Sequence, residues 1–350
     1  MKFLVITNCA RQRMTGGQIV DEDLYDCFRK QGHTVVYNTD FMPNLKNRYL
    51  IFVLLKNVLK FRKYDQIFIN AFLCHVFLPF LVLSRIFKSK SNVTIILHHF
   101  RYMQMKGLKS KWFYLLEYLM LKLSGHIIVV SPYIYDETKK IVCLRKISYV
   151  GISFESRSCD FTSSNAHEYG KILYVGTVET RKGIVFLLEA LNRLPETLKQ
   201  KIEVNIVGKQ DALYVLELNK MIEAYSLGEI VKLRGRVDAA ELNAYYDSSM
   251  FFVFPSLLEG FGMVLVEAMS HCLPVVAFDN SAMPYTVQND VNGCLVENKN
   301  AKQFACAMER LLTDSSYYEA MVKGAVSTYE TSRRPSDFER DAKSYLEIFS

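Results

Sequence analysis

The stretch MFFVFPSLLEGFGMVLVEAM, residues 250–269, predicts a strand, a glycine-containing turn and a helix in direct succession. MFFVFPS has the continuous apolar character of a buried strand, LLEGFG supplies the turn, and MVLVEAMSH predicts the helix. A buried strand that leads through a short turn into a helix is the building unit of parallel α/β sheets. The stretch therefore predicts an α/β fold.

The alternation of strands and helices extends along most of the chain. At 350 residues the chain is too long for one ordinary hydrophobic core, so two domains are expected. A serine-rich polar segment, SFESRSCDFTSSNAHEYG (153–170), interrupts the alternation and predicts a linker. Strands are predicted at 3–7, 33–38, 66–70, 93–97 and 126–130 before this segment, and at 171–176, 201–208, 231–235, 250–256 and 274–278 after it.

The predicted organisation has four parts. They are a first domain at 1–153, a linker at 154–169, a second domain at 170–332, and a terminal helix within 333–350 that can cross back to the first domain. Helices in the first domain are predicted at about 18–31 and 73–87, and a Ser/Asp cap near 336 predicts the start of the terminal helix. The alternation favours two doubly wound, Rossmann-like domains, with the carboxyl ends of both sheets facing a central cleft.

The charge of the chain is unevenly distributed. Residues 1–150 carry 23 Lys and Arg against 9 Asp and Glu, a net charge of +14, whereas the other 200 residues carry 20 against 27, a net charge of −7. Two basic stretches, Arg48–Tyr64 and Lys106–Gly125, interleave lysine and arginine with apolar and aromatic residues, which is typical of helices in a membrane interface. Two helices that pack on a sheet and expose solvated lysines are the alternative interpretation. A nucleic-acid partner is not expected in so hydrophobic a context.

Several classes of protein fit the sequence poorly. The amino-terminal MKFLVITN predicts a buried strand, because it is too short for a secretory signal and lacks a cleavage site. Ile67–Ser84 has 18 residues without a charge, but Asn70, His75 and Pro79 interrupt it, so a strand, a loop and a buried helix are expected instead of a transmembrane span. Eight cysteines are scattered singly, which favours reduced thiols in the cytosol over a zinc site or disulfide framework.

Two acids flank the turn of the opening stretch. Glu259 stands directly before Gly260, and Glu267 follows after seven intervening residues. The two glycines of the turn let the backbone approach a ligand closely, and the N–H groups of Phe261, Gly262 and Met263 open a helix amino terminus that attracts anions. A sugar, a diphosphate and a ribose laid end to end match this order of acid, anion site and acid. The pattern predicts a nucleotide-sugar site.

EGFGMVLVEAM resembles the EX7E signature of retaining glycosyltransferases of the GT-B fold, especially those of glycosyltransferase family 4. YVGTVETRKGIVFLLEAL (174–191) is similar to the donor-phosphate loop of that family. Other stretches follow the family's order of landmarks across nearly the whole chain: GQIVDEDLYDCFRKQGHTV, VTIILHHF, HIIVVSPYI, VKLRGRV and PVVAFDNSAMPYTVQNDVNGCLV. The resemblance implies the GT-B fold, in which two Rossmann-like domains face a cleft.

The resemblance also implies roles for residues of the second domain. Lys182, with Arg181 beside it, would contact the donor diphosphate, where the negative charge of the leaving group grows in the transition state. Glu259 would lie near the donor sugar and β-phosphate, and Glu267 would bind ribose hydroxyls. The loop at Arg236–Val237 would flank the base, largely through backbone atoms, so the choice between uracil and guanine stays open.

The chain departs from the family pattern at two positions. Many members carry an arginine directly after the first glycine of the donor-phosphate loop, where this chain has Thr177, and Arg181 is the candidate to compensate. An acid often follows the proline in the stretch that matches SAMPYTV, where this chain has Tyr285. Which cation holds the diphosphate is therefore left open.

The first domain supplies four candidate residues. Gly16 and Gly17 in RMTGGQIV predict a glycine-rich turn after the first strand; it is not GxGxxG, and it resembles the family's loop at the donor phosphate or acceptor. His98 and His99 end the strand VTIILHH. Related enzymes carry a histidine there, close to the reacting sugar, and His98 is the preferred candidate, with His99 as the acceptor-side alternative.

The resemblance implies retaining transfer of one hexosyl unit from a UDP- or GDP-linked sugar to an acceptor hydroxyl, with His98, Lys182 and Glu259 as catalytic residues. No DxD-type motif is evident, so neither a metal nor another cofactor is expected. The basic first domain suggests a saccharide or lipid-linked saccharide acceptor of bacterial surface polysaccharide synthesis, and a cytoplasmic protein peripheral on the inner face of the cell membrane. A GT-B epimerase, an inverting transferase and a silent sugar-binding protein remain alternatives.

Overall fold

The computed structural model describes residues 1–7, 15–38, 63–73, 78–79, 81–82, 92–157 and 167–349. Most of the predicted basic helix at 48–64 and of the predicted helix at 73–87 lies outside these residues. The chain forms two compact units. The first contains residues 1–154 together with 333–350, and the second contains residues 155–332.

A parallel sheet forms the centre of the first unit. In the described residues it has six strands in the order β2-β1-β3-β4-β5-β6. The strands are β1 (Lys2–Ile6), β2 (Thr34–Tyr37), β3 (Gln66–Asn70), β4 (Asn92–Leu97), β5 (His126–Val129) and β6 (Ile147–Tyr149). The accompanying helices are α1 (Gly16–Lys30), α2 (Gly107–Leu123) and α3 (Pro132–Lys139). The central strands are almost fully apolar because helices cover a doubly wound sheet on both faces.

The second unit also contains a parallel sheet, but with a different strand order. Its sheet, again within the described residues, has the strand order β12-β11-β10-β7-β8-β9, and every pair in it is parallel. The strands are β7 (Lys171–Val175), β8 (Glu203–Val207), β9 (Val231–Gly235), β10 (Phe251–Phe254), β11 (Val275–Asp279) and β12 (Gly293–Glu297). The helices are α4 (Ile184–Arg193), α5 (Glu196–Lys199), α6 (Ala212–Ala224), α7 (Ala239–Ser248), α8 (Met263–Ser270), α9 (Ala301–Thr313) and α10 (Ser315–Glu330).

The terminal helix α11 (Pro335–Glu347) belongs to the first unit. Its buried Tyr345 shares a 2.6 Å hydrogen bond with Thr94 of β4, and its ring stacks near Phe28 of α1 at 6.0 Å between centroids. The expected Ser/Asp cap is wrong in detail: Arg334 is the cap residue, and Asp337 in the first turn accepts the backbone N–H of Arg334 at 3.0 Å.

Gly16 and Gly17 are the first residues of α1 and not a turn before it. The helix starts earlier than expected because Thr15 and Gln18 form a capping box, in which each side chain accepts the backbone N–H of the other. Within the described residues no helix is long and apolar enough to cross a membrane.

Both sheets reverse their strand order at one place. In the first unit the reversal lies between β1 and β3, and in the second it lies between β7 and β10. Ligands of open α/β sheets bind outside the carboxyl ends of the strands at such a point. The residues after β7 and β10, and those near the ends of β1 and β3, are therefore the first places to look for a site.

Candidate functional site

Three neighbouring loops of the second unit meet at Glu259. The loop after β10 carries Glu259, the loop after β7 carries Lys182 at the end of a short 3₁₀ turn, and the loop after β11 carries Ser281. Because β11, β10 and β7 are adjacent and parallel, their carboxyl ends share one edge of the sheet. The fold thus brings together residues that lie up to a hundred positions apart in sequence.

The carboxylate of Glu259 is held by two cations and a hydroxyl. Its Oε1 accepts from Lys182 Nζ at 2.5 Å, from Ser256 Oγ at 2.6 Å and from Arg181 at 3.1 Å, while its backbone N–H donates to Ser281 Oγ at 2.9 Å. The side chains of Glu259 and Lys182 are only 12% and 11% exposed. Burial opposes the charged carboxylate, but the cations and hydrogen bonds outweigh burial and lower the pKa of Glu259.

The guanidinium of Arg181 donates hydrogen bonds to three different residues. Its guanidinium donates to the carbonyl of Leu258 at 2.7 Å and to Glu179 Oε1 at 2.8 Å, in addition to Glu259. The backbone carbonyl of Arg181 also accepts the N–H of Leu257 at 2.9 Å. Arg181 therefore ties the loop after β7 to the loop after β10. Thr177, which follows β7 in the same loop, is exposed.

Two glycines permit this close approach of loops. Gly183 has φ +66°, and a Cβ there would lie 2.1 Å from the carbonyl oxygen of Pro255. Gly262 has φ +84°, and a Cβ there would lie 2.9 Å from the terminal methyl of Met283. Gly262 is the cap residue of α8, so Gly260 and Phe261 precede the helix and Met263 begins it. The first N–H groups of α8 have no acceptor within their own helix and carry partial positive charge.

Glu267 lies one turn into α8 and has a different environment from Glu259. Its Oε2 accepts from the buried hydroxyl of Tyr246 at 3.3 Å, and the Tyr246 ring stacks on His271 at 4.7 Å. Burial raises the pKa of Glu267, and the Tyr246 hydrogen bond opposes that rise only partly. At the same edge of the sheet, exposed Arg236 and half-buried Val237 follow β9.

In the first unit, His98 directly follows β4 and pairs with an acid. Its Nε2 lies 2.7 Å from Asp21 Oδ1 on α1, and Asn70 at the end of β3 donates to Asp21 Oδ2 at 3.1 Å. Gly17 lies against the ring, because a Cβ there would be 3.5 Å from Nδ1 of His98. Burial lowers the pKa of His98, but the charge and hydrogen bond of Asp21 outweigh it and raise the pKa overall. His99, the neighbouring candidate, is half-buried.

Sequence reasoning missed several of these partners. Ser256 and Ser281 follow strand ends but carry no motif, Glu179 was not singled out, and Asp21 and Asn70 lie far from His98 in sequence. The position of these residues could have indicated their proximity, because Asn70 ends one predicted strand and His98 stands at the end of the next predicted strand. Tyr285, at the departure noted above, is 47% exposed in a short 3₁₀ turn. Among the described residues, no group of three or more His, Cys, Asp or Glu is arranged to hold a metal ion.

The fold is that of the GT-B glycosyltransferases. The structure of HepE from Anabaena in complex with UDP-glucose superposes with a TM-score of 0.75 at 16% identity, covering 99% of this chain and 100% of that one. In addition, residues 159–327, just under half of the chain, match the family model described as Glycosyl transferases group 1.

Two sequence relatives each match a little under half of the chain. A D-inositol 3-phosphate glycosyltransferase of Thermobifida fusca is 30% identical over 167 residues, covering 46% of this chain and 38% of that protein. The O-antigen chain mannosyltransferase B of Escherichia coli is 29% identical over 154 residues, covering 43% of this chain and 39% of that protein. The chain thus matches about two fifths of the length of each relative. Together with the fold, these matches support a GT-B glycosyltransferase.

Proposed function

We propose that the protein is a retaining, metal-independent glycosyltransferase that moves a hexosyl unit from a UDP- or GDP-linked sugar to an acceptor hydroxyl. The observation that carries the proposal is the cluster of Glu259, Lys182 and Arg181 at the strand-order reversal of the second sheet. A buried lysine beside the amino terminus of a helix suits an anion. The match to glycosyl transferases group 1 covers this cluster.

In the proposed reaction the bond from the anomeric carbon to the diphosphate oxygen breaks, and the diphosphate leaves with the electron pair. Lys182 and the first N–H groups of α8 stabilise the charge that develops on it. The acceptor oxygen bonds to the anomeric carbon from the same face, and its proton passes to the departing phosphate. Glu267 binds the ribose hydroxyls, and Arg236–Val237 flank the base. Arg181 holds the two loops together, so we assign the direct phosphate contact to Lys182.

The test begins with donor binding. A thermal-shift panel of UDP, GDP, ADP and their sugars should raise the melting temperature for one nucleotide series, because a ligand that binds only the folded state stabilises it. NMR of the product made with the identified donor then gives its anomeric configuration. Retention that persists in EDTA supports the proposal. Inversion favours an inverting transferase, and binding without transfer to any acceptor favours a silent sugar-binding protein.

We further propose that the acceptor is a lipid-linked saccharide and that the protein binds the inner face of the cell membrane. The name of one relative, O-antigen chain mannosyltransferase B, supports an acceptor from surface polysaccharide synthesis. The first unit supplies the surface. On α2, four apolar side chains lie on one face and point to solvent: Leu108, Trp112, Leu115 and Leu119, which are 85%, 60%, 47% and 37% exposed.

This apolar stripe lies opposite the buried face of α2. The buried face carries Glu117, Met120 and Leu121, and successive residues of a helix turn by about 100°, which puts the stripe about 180° from Glu117. Four exposed lysines lie in or just before the helix (Lys106, Lys109, Lys111 and Lys122), and its one acid, Glu117, is buried and accepts the N–H groups of Arg101 and Tyr102. An apolar stripe with a purely basic rim suits an anionic bilayer.

The membrane proposal has a matched control within the chain. Leu213, on α6 of the second unit, is 80% exposed, close to the 85% of Leu108. Leu108→Ser with Trp112→Ser should weaken binding to phosphatidylglycerol-containing vesicles by about tenfold or more, whereas Leu213→Ser should not change it. Vesicles of phosphatidylcholine alone should bind the wild-type protein weakly. Equal binding by all three proteins would contradict the assignment of the stripe.

A further inference from the structure

The first unit carries a hydrogen-bonded chain of three side chains at the point where its strand order reverses. Asn70 ends β3 and donates to Asp21 Oδ2 at 3.1 Å, and Asp21 Oδ1 lies 2.7 Å from His98 Nε2. The side chains of His98 and Asp21 are only 14% and 16% exposed. Three separate elements, α1, β3 and the end of β4, therefore fix one imidazole.

The contacts leave the two ring nitrogens of His98 unequal. An ionised carboxylate can only accept, so Nε2 carries the proton directed at Asp21. Nδ1 lies on the side of Gly17, where a Cβ would be 3.5 Å away, within ordinary contact distance and without a clash. A carboxylate that holds one imidazole nitrogen sets which tautomer the other nitrogen presents.

Asn70 is itself fixed in orientation. Its Oδ1 accepts the backbone N–H of Phe72 at 3.0 Å, so its amide group must turn Nδ2 toward Asp21. Asp21 thus receives hydrogen bonds on both oxygens, which holds its carboxylate in one plane. The arrangement is more restrained than an isolated surface pair of histidine and acid would be.

We propose that Asp21 is a positioning residue that holds His98 through Nε2 and leaves Nδ1 to bind a hydroxyl group of the sugar substrate. The proposal rests on the transfer reaction proposed above. It assigns Asn70 as the residue that orients Asp21, and it places hydroxyl recognition in the first unit, apart from the cationic cluster around Glu259. Asp21 itself touches no substrate.

The test uses the full chain and the variant Asp21→Asn, which keeps an acceptor oxygen but removes the charge. NMR titration of the His98 ring, assigned with His98→Gln, should show a lower midpoint by about one unit, because the neighbouring negative charge is gone. The transfer rate kcat should fall about tenfold or more, with unchanged affinity for the nucleoside diphosphate identified by thermal shift. The acidic limb of the pH–rate profile should move in the same direction as the titration midpoint.

Asp26→Asn is the matched control, because Asp26 lies on the same helix but pairs with Arg29. It should leave the midpoint and kcat unchanged. An unchanged His98 midpoint and an unchanged kcat in Asp21→Asn would overturn the proposal. If Asp21→Asn does not unfold cooperatively, Asp21→Glu is measured instead, and it should restore the wild-type midpoint. The titration of His98 needs no substrate, so its outcome is independent of nucleotide binding. A wild-type protein that binds no nucleotide would contradict the proposed function but would not decide whether Asp21 holds His98.

Discussion

Both sheets are parallel and reverse their strand order once, but they carry different chemistry at that point. In the second unit, two cations and a hydroxyl meet on the carboxylate of Glu259. In the first unit, one carboxylate and one imidazole pair, supported by an amide. A cationic cluster suits a diphosphate, and an imidazole held at one nitrogen suits a hydroxyl. Under the proposed function, the two parallel sheets would serve two kinds of recognition through side chains at the carboxyl ends of their strands.

The carboxylates of Glu259 and Glu267, both in the second unit, also differ in their environments. Glu259 has a lowered pKa because Lys182 and Arg181 outweigh its burial. Glu267 has a raised pKa because its hydrogen bond from Tyr246 does not offset burial. Two acids with seven residues between them therefore have pKa values that are shifted in opposite directions.

The largest effect is expected from Lys182→Met, which keeps the length of the side chain and removes its charge. Transfer should fall by about 100-fold or more, because a fixed donor to the developing negative charge is lost. Affinity for the nucleoside diphosphate should fall as well, because Lys182 would contact the diphosphate in the bound ground state and in the transition state. Steady-state kinetics gives the transfer rate, and calorimetry with the nucleotide identified by thermal shift gives its dissociation constant. Lys220→Met, at an exposed lysine on α6 of the same unit, is the control, and an equal rate in both variants would contradict the role of Lys182.

Glu259→Gln should reduce transfer by about 100-fold, because the carboxylate that we propose lies near the donor sugar and β-phosphate loses its charge. The variant should also melt at lower temperature, since Lys182 and Arg181 lose their buried counter-charge. A bound diphosphate supplies negative charge, so the nucleotide should narrow this difference in melting temperature. The stability that the lowered pKa of Glu259 provides is present at neutral pH and is lost as pH falls through that pKa. The free energy of unfolding of the variant should therefore decrease less on acidification than that of the wild-type protein. Glu241→Gln, an exposed acid on α7, serves as control; a melting difference that the nucleotide does not change would argue against a phosphate near Lys182.

Much of this comparison could be predicted from local sequence patterns. The strand, turn and helix around Glu259 follow from an apolar run, two glycines and a second apolar run, and Lys182 lies in a recognisable loop. Strand β6 was not predicted because ISY has only three residues, and strand β12 was not predicted because a glycine and a glutamate leave GCLVE only a short apolar run. The glycine pair Gly16–Gly17 was placed outside α1, because the capping box of Thr15 and Gln18 was not recognised.

The partners of the predicted residues could not be derived from the sequence. Asp21 meets His98 across 77 positions and Arg181 meets Leu258 across 77 positions, and such pairs depend on which strands are neighbours. Strand order is a property of the whole sheet and leaves no local pattern. Tyr246 is a further case, because its hydroxyl reaches Glu267 from α7. Sequence reasoning therefore located residues on the edge of a sheet without the contacts that set their charge states.

Tyr246→Phe tests the environment of Glu267 with a smaller change. Without the hydroxyl, the pKa of Glu267 should rise further, because that hydrogen bond is the interaction that opposes burial. A neutral carboxyl accepts more weakly from ribose hydroxyls, so nucleotide affinity should fall by up to about tenfold and more steeply at lower pH. The loss should be smaller for the 2′-deoxy nucleotide. Tyr245→Phe, the adjacent residue, should behave as wild type, and equal losses for the ribo- and deoxyribonucleotide would refute the ribose contact.

The smallest effect concerns two buried histidines of the first unit whose pKa values move in opposite directions. Burial and nearby Lys146 lower the pKa of His126 to about 4, whereas Asp21 raises that of His98. The unfolded chain takes up a proton near pH 6.5 while native His126 stays neutral, so His126 should reduce the free energy of unfolding by about 0.7 kcal/mol between pH 7 and pH 6. For His98 the sign reverses, because its raised pKa adds stability that is present at low pH and lost as pH rises. Urea unfolding at both pH values should therefore show a flatter pH dependence in His126→Gln and a steeper loss on acidification in His98→Gln. A change of the same sign in both variants would mean that Asp21 does not hold His98 in the folded chain.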